Sequence, residues 1–224
     1  MNEKKLSLSQ LLNLASQYAS NKLILPSQAL FGASDGKAVG TYVEQGLRDY
    51  ITAQGFSAGN GSSANGLDFP DLNIDLKVTS LRQPQSSCPF KFAKQKVYGL
   101  GYSLLVFVYN KVDIQAEEKS WLDIQHIVHV ASEKTADYQL TKSLIEMLSA
   151  DGNRDDVFAL LSEKNLPLDE IGLNQLADEI MQSPPVQGYL TISNALQWRL
   201  QYTRIIEKAG VVEGINSVYR GNSK

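Results

Sequence analysis

Two carboxylates and an ammonium stand close together in the segment Asn65-Gly66-Leu67-Asp68-Phe69-Pro70-Asp71-Leu72-Asn73-Ile74-Asp75-Leu76-Lys77. Hydrolysis of a phosphodiester calls for a hard divalent cation to hold the phosphate, and Mg²⁺ takes carboxylate oxygens with several waters rather than a full protein cage. Asp68 at the mouth of one strand and Asp75 on the next can converge on one ion if the six residues between them turn back tightly. Ile74, Leu76 and Val78 alternate with Asp75, Lys77 and Thr79, so a strand here puts Asp75 and Lys77 on the same face. From that face an ammonium could orient or activate the attacking water and offset the pentacovalent charge. Asp71 competes with Asp68 for the first position, since Pro70-Asp71 reads "PD". Asp68 is preferred because three residues between Asp71 and Asp75 leave little room for a turn. The bland alternative is a solvated strand face carrying a surface ion pair worth little.

The elements that must position these groups are legible from periodicity. Leu8, Leu11, Leu12, Leu14, Ala15 and Tyr18 recur at helical spacing over 6–20, after a Ser7 that could cap them. A second helix is expected over 37–54, with Val39, Val43, Leu47, Tyr50 and Ile51 on one side, Glu44 within it and Ser34-Asp35-Gly36 as its start signal. Gly55 to Gly66 reads as a loop whose backbone can approach something closely. Beyond the acidic segment the pattern predicts a basic helix over 89–98, a buried strand over 102–110 and another over 121–130. Helices near 134–149, 153–163, 168–182 and 193–208 follow, supported by Asp169 and Ser193 as caps and by breaks at Pro167, Pro184-Pro185 and Gly210. The expected fold class is therefore α/β, a mixed sheet core flanked by helices with a mostly helical C-terminal part. The expected organisation is a core over 1–133 and a helical region over 134–224 packed on it as one domain.

With 224 residues, 43% hydrophobic and 20% charged, the chain has the balance of a globular protein that buries a real core. Its longest apolar run, Leu104 to Tyr109, is far short of the roughly 20 residues that cross a bilayer, and the N-terminus lacks a secretory pattern. The expectation is a cytoplasmic protein. A lone Cys88 can neither form an internal disulfide nor bind zinc by itself, and the small buried thiol is the favoured reading. His126 and His129, three apart on a strand, point to opposite faces, so joint metal ligation is disfavoured. The Gly32-x-x-x-Gly36 spacing lacks the Lys-Ser/Thr ending of a phosphate-binding loop.

A net charge of −3 argues against simple coating of nucleic acid, but the charge is segregated. Leu76 to Val112 carries six bases and no acid, Ile145 to Pro185 nine acids against two bases, and the chain from Val186 onward five bases against two acids. A polyanion would be guided to the middle and the C-terminus. Arg82, Gln83 and Gln85 in the segment Arg82 to Pro89 combine the residue types that read guanine and adenine bidentately, and form the candidate recognition loop. Its alternative reading is a plain polar connection. Lys91, Lys94 and Lys96 are candidate phosphate contacts, and Arg199 and Arg204 a second set, although Trp198, Leu200 and Tyr202 argue that their helix is core.

At Asp68, Asp75-Leu76-Lys77 the chain resembles the PD-(D/E)xK nuclease superfamily, which includes most type II restriction endonucleases. The six-residue gap is similar to the short-spaced version in MutH-like mismatch-repair nicking enzymes, and Ile74-Asp75-Leu76-Lys77-Val78-Thr79 extends the likeness beyond the acids. The resemblance covers roughly residues 37–110. Its second acid is Asp75 where Glu is commoner, and Glu44 matches the helix that often adds an acid. It implies a restriction-endonuclease-like core and a Mg²⁺-dependent type II enzyme that cuts double-stranded DNA to 5′-phosphate and 3′-hydroxyl ends. Asp68 and Asp75 would bind metal, Lys77 would position the nucleophile, and Glu44 would serve as an auxiliary acid or second-site ligand. A homodimer is implied for a palindromic site, and a cognate DNA methyltransferase as its functional partner. The competing readings are a mismatch-repair nickase and a non-catalytic DNA-binding module.

Overall fold

The computed structural model describes residues 4–21, 27–33, 36–59, 66–88, 91–193 and 198–221. In chain order these form β1 (Lys4–Lys5), α1 (Leu8–Asn21), α2 (Gly36–Ala53), β2 (Phe56–Ser57), β3 (Ile74–Ser80), β4 (Gln85–Cys88), α3 (Gln95–Tyr98), β5 (Ser103–Ile114) and β6 (Lys119–Val130). Then come α4 (Tyr138–Ser149), α5 (Arg154–Glu163), α6 (Glu170–Gln182), β7 (Thr191–Ile192), β8 (Trp198–Gln201), α7 (Thr203–Lys208) and β9 (Ile215–Arg220). The result is the expected α/β architecture of mixed sheets flanked by helices. The start signal Ser34-Asp35, the loop centre 60–65 and the pair Pro89-Phe90 lie outside the described residues.

The chain divides into two compact units, and it crosses between them more than once. The first holds residues 1–84, 104–130 and 208–224. Its sheet has the order β3-β5-β6-β9, with β5 and β6 paired antiparallel as a long hairpin. Central position explains why Leu104 to Val108 is buried without alternation: a strand covered on both faces has no solvent side. Leu105, Phe107 and Tyr109 of β5, Leu122, Ile124 and Ile127 of β6, and Ile74 and Leu76 of β3 share a core with the apolar stripes of α1 (Leu11, Leu14, Ala15, Tyr18) and α2 (Val39, Val43, Leu47, Ile51). Ser7 caps α1: its hydroxyl accepts from Gln10 N at 3.4 Å while Gln10 Oε1 accepts from Ser7 N at 2.9 Å. Gly46 brings α2 close to the Tyr18 hydroxyl, which occupies the space a Cβ would need.

The second unit holds residues 85–103 and 131–207. Leu140, Leu144, Val157, Leu161, Leu176 and Ile180 of α4, α5 and α6 form its core with Val97 of α3. The three helices start on side-chain caps, Asp137, the Asn153/Asp156 capping box and Asp169. The other oxygen of Asp137 accepts from Ile192 N at 2.8 Å, tying α4 to the antiparallel sheet β4-β8-β7.

Three expectations are corrected. The basic helix over 89–98 is a single turn, Gln95–Tyr98, and the preceding recognition segment ends in a strand, β4. Residues 194–197 of the helix expected over 193–208 lie outside the described residues, and the rest forms β8 and the short α7, because Arg199-Leu200-Gln201 alternates exposed, buried, exposed at the period of a strand. The chain is not helical to its end: β9 pairs antiparallel with β6. Among the described residues no helix is long and apolar enough to cross a membrane.

Candidate active site

Asp68, Asp75 and Lys77 meet on the open edge of β3, within the first unit. Every second N–H of an edge strand points away from the sheet and needs a partner. Here the segment before β3 folds back to supply them. Phe69 and Ile74 exchange backbone hydrogen bonds at 3.0 and 3.1 Å. The 3₁₀ turn Pro70–Leu72 and a left-handed Asn73 (φ 55°, ψ 46°) close the reversal. Asn is one of the few residues that enters this region at low cost. The next outward N–H, that of Leu76, donates to Asp68 Oδ2 at 2.6 Å. The tight turn that the six-residue gap demanded is thereby made, and it holds the Asp68 carboxylate against β3. Asp71 is exposed on that turn.

Asp75 and Lys77 share a face as alternation requires, with Lys77 Nζ 2.8 Å from Asp75 Oδ2. Asp75 is 5% exposed. Burial first, and then a hydrogen bond to the Asp75 carboxyl, push Asp68 up to about 6, against the opposing pull of the Leu76 N–H and of Lys77. Two carboxyl groups that meet in a partly buried site form an oxygen donor pair, and a hard divalent cation fits such a pair. Among the described residues no three His, Cys, Asp or Glu side chains converge on a point.

The raised Asp68 sets a pH dependence. The folded protein holds a proton that the unfolded chain gives up near the ordinary aspartate value, so Asp68 favours the fold at low pH and that contribution is lost as pH rises through about 6. Asp68→Asn is therefore expected to raise the metal-free unfolding temperature at pH 8, with the gain shrinking toward pH 4. Thermal unfolding of both proteins across that range checks it, and an equal shift at every pH would sink it.

Glu44 lies on α2 and enters the site through a residue that sequence reasoning missed. Arg48, one turn on, takes Glu44 Oε1 at 3.1 Å with its Nε. It donates from Nη2 to the Asp68 carbonyl at 2.6 Å, and from Nη1 to the carbonyls of Gly59 at 3.0 Å and Ala58 at 3.3 Å. Its guanidinium lies 5.2 Å from the centroid of the Phe69 ring. One planar fork thus clamps the backbone at 58–59 and at 68 to the helix. The signal that could have revealed it is the i, i+4 spacing of Glu44 and Arg48.

The remaining sites are dispersed. In the first unit, Arg82 and Gln83 are exposed in the turn after β3, where the Gln83 carbonyl accepts from Thr79 Oγ1 at 3.3 Å. In the second unit, Gln85 is half-buried on β4, Lys91 is exposed, and Lys94 is exposed beside Glu179 at 3.4 Å. Lys96 is only 6% exposed; burial lowers its pKa while Asp137 opposes the shift, so it leaves the set of phosphate contacts. Arg199 is exposed on β8. Arg204 is half-buried, 3.8 Å from the Tyr138 ring centroid and with Nη1 3.1 Å from Thr191 Oγ1. His126 and His129 pair with Val108 and Leu105 in one unbroken register and so face opposite ways. His129 Nδ1 lies 3.1 Å from Asn216 Nδ2. Cys88 is buried, with its sulfur 3.7 Å from the Tyr102 hydroxyl.

A mixed sheet between helices, with an acid pair and a lysine on the outer edge of one strand, defines a restriction-endonuclease-like protein. The family described as type II restriction enzyme NspV matches residues 5–217. The type II restriction enzyme NspV of Nostoc sp. is 53% identical over 208 residues, which is 93% of this chain and 94% of that protein. The chain belongs to this family of type II restriction enzymes. No solved structure matches it.

Proposed function

We propose that this type II restriction endonuclease cleaves double-stranded DNA with Mg²⁺ held by Asp68 and Asp75 and with Lys77 addressing the nucleophile. The observation that carries this reading is the meeting of the two carboxylates and the ammonium on one strand edge. The ion, when bound, neutralises the phosphate and favours ionisation of water. The Leu76 N–H fixes the Asp68 carboxylate, and Asp75 holds the Lys77 side chain beside it. From there the Lys77 ammonium donates to the attacking water or to the phosphoryl oxygens as their charge grows. The water oxygen bonds to phosphorus, the bond to the 3′-oxygen breaks, and that oxygen takes up a proton. The products are a 5′-phosphate and a 3′-hydroxyl. Glu44 acts as the auxiliary acid, held in place by Arg48. The enzyme works as a homodimer on a palindromic site inside the bacterial cell, where a cognate methyltransferase protects the host DNA.

Incubation of the purified protein with unmethylated phage DNA tests this. Discrete fragments are expected with Mg²⁺ and none with chelator, their ends are expected to ligate without prior phosphorylation, and the rate should fall steeply on dilution. Fragments in chelator would overturn the metal assignment. Ends that need phosphorylation would overturn the cleavage polarity, and a specific rate independent of concentration would overturn the dimer.

A further inference from the structure

The three-stranded sheet of the second unit has one face turned inward and one turned to solvent. β8 is its central strand: Gln85 stands opposite Gln201 and Ser87 opposite Arg199 on β4, and Thr191 stands opposite Gln201 on β7. Cys88, Leu200 and Ile192 are buried, and the Ser86 hydroxyl is hydrogen-bonded to that of Tyr202. Alternation then places Gln85, Ser87, Thr191, Arg199 and Gln201 together on the other face, where Ser87, Arg199 and Gln201 are exposed and the half-buried Thr191 accepts from Arg204. Among its described residues this face carries no acid and no large apolar side chain.

We propose that this face reads base edges in the major groove of the DNA substrate, with Arg199 and Gln201 as its specificity-determining residues. A glutamine amide offers one donor and one acceptor, matching N7 and N6 of adenine, and an arginine fork offers two donors, matching N7 and O6 of guanine. Three strands spaced about 4.8 Å apart present a ribbon about 10 Å across, which suits a groove about 12 Å wide. Arg199 and Gln201, two residues apart on one strand, stand about 6.7 Å apart, close to two base-pair steps of about 3.4 Å each. The strand beneath them is braced: Arg199 N donates to Ser193 Oγ at 3.2 Å, and its carbonyl accepts from Ser193 N at 3.1 Å. Among the described residues no carboxylate forms an ion pair with Arg199. Sequence reading had assigned Arg199 to phosphate; sharing a face with Gln201 reassigns it to bases. The proposal rests on membership of a restriction-enzyme family and is independent of which residues hold the metal.

The test measures kcat/KM on short duplexes carrying the site that the wild type cuts. A companion set substitutes each base pair once, and another replaces each purine once by its 7-deaza analogue. Gln201→Ala should lose about 10- to 100-fold on the parent site, and one 7-deaza-adenine that slows the wild type should cause no further loss in this variant. Arg199→Ala should behave in the same way at one guanine. Gln201→Glu, nearly isosteric, should re-rank the substituted duplexes, since a carboxylate accepts from cytosine N4. A uniform loss on every duplex, with the salt slope of binding reduced by about 1, would mark phosphate contacts and overturn the proposal. Wild-type ranking in Gln201→Glu would overturn it equally. A wild type that cuts no duplex would instead strike at the endonuclease reading itself.

Discussion

Lys77→Ala is expected to slow single-turnover cleavage by about 10³-fold or more while weakening DNA binding only several-fold. The ammonium sits 2.8 Å from Asp75 and is the basic group on the site's face of β3. Its removal takes away a donor that gains strength only as charge develops on the attacking and phosphoryl oxygens, the kind of interaction worth 10²- to 10⁴-fold in rate. It also leaves two carboxylates facing each other without their nearest cation, so the pair should hold its proton to higher pH. Asp75→Asn should abolish metal-dependent cleavage as completely, for the different reason that one of the two carboxylates proposed to hold the ion is gone. Single-turnover rates at saturating enzyme, together with binding to the same duplex in chelator, separate these effects. Cleavage by Lys77→Ala within tenfold of the parent rate would remove Lys77 from the mechanism and leave its ion pair with Asp75 as a structural feature.

Arg48→Lys should be nearly as damaging as Arg48→Ala, and that equivalence is the informative result. The guanidinium makes four hydrogen bonds, three of them to backbone carbonyls on two separate stretches of chain and one to Glu44. A lysine keeps the charge but cannot present a planar fork to all of them. Bonds from a charged donor to partly buried carbonyls contribute roughly 1.5–3 kcal/mol each before overlaps, so a net loss of about 3 kcal/mol in stability is expected for the alanine variant. The backbone of Asp68 would then be free to shift, and displacement of a catalytic group by about 1 Å costs on the order of 10²-fold in rate. The expected pattern is a fall in kcat of that size, little change in KM, and a higher metal concentration needed for half-maximal activity. A variant that unfolds more easily yet cleaves at the parent rate below its unfolding temperature would limit Arg48 to stability.

The two predictions act on different levels of the molecule. In the proposed mechanism Lys77 takes part in the chemistry, whereas Arg48 holds the backbone that carries Asp68. Their pH behaviour should differ accordingly: loss of Lys77 moves the acid limb of the rate profile upward, because only the Leu76 N–H is then left to oppose the raised Asp68. Loss of Arg48 should lower the profile with little change in its shape.

The helices α1 and α2, the buried strand β5 and the Asp75–Lys77 face could be read from the chain because each depends on a local period. Helical stripes such as Val39, Val43, Leu47 and Ile51, and strict alternation over Ile74 to Thr79, reflect which side of an element meets the core, whatever that core contains. The choice of Asp68 over Asp71 was likewise a local matter of room for a turn. The Arg48 clamp was not legible, because it joins a helix to backbone carbonyls as many as 20 residues away and carbonyls leave no mark in sequence. β8 and β9 were missed for the same reason: strands of four and six residues gain their hydrogen bonds from β4, β7 and β6, remote in the chain, and their short alternation was outweighed by helix-forming neighbours. Lys96, basic and in a basic stretch, reads in sequence as a phosphate contact, whereas packing buries it near Asp137. Local periodicity thus determined α1, α2, β5 and the shared face of Asp75 and Lys77. Tertiary pairing decided which edges, carbonyls and charges came together, since those partners exist only after distant segments meet.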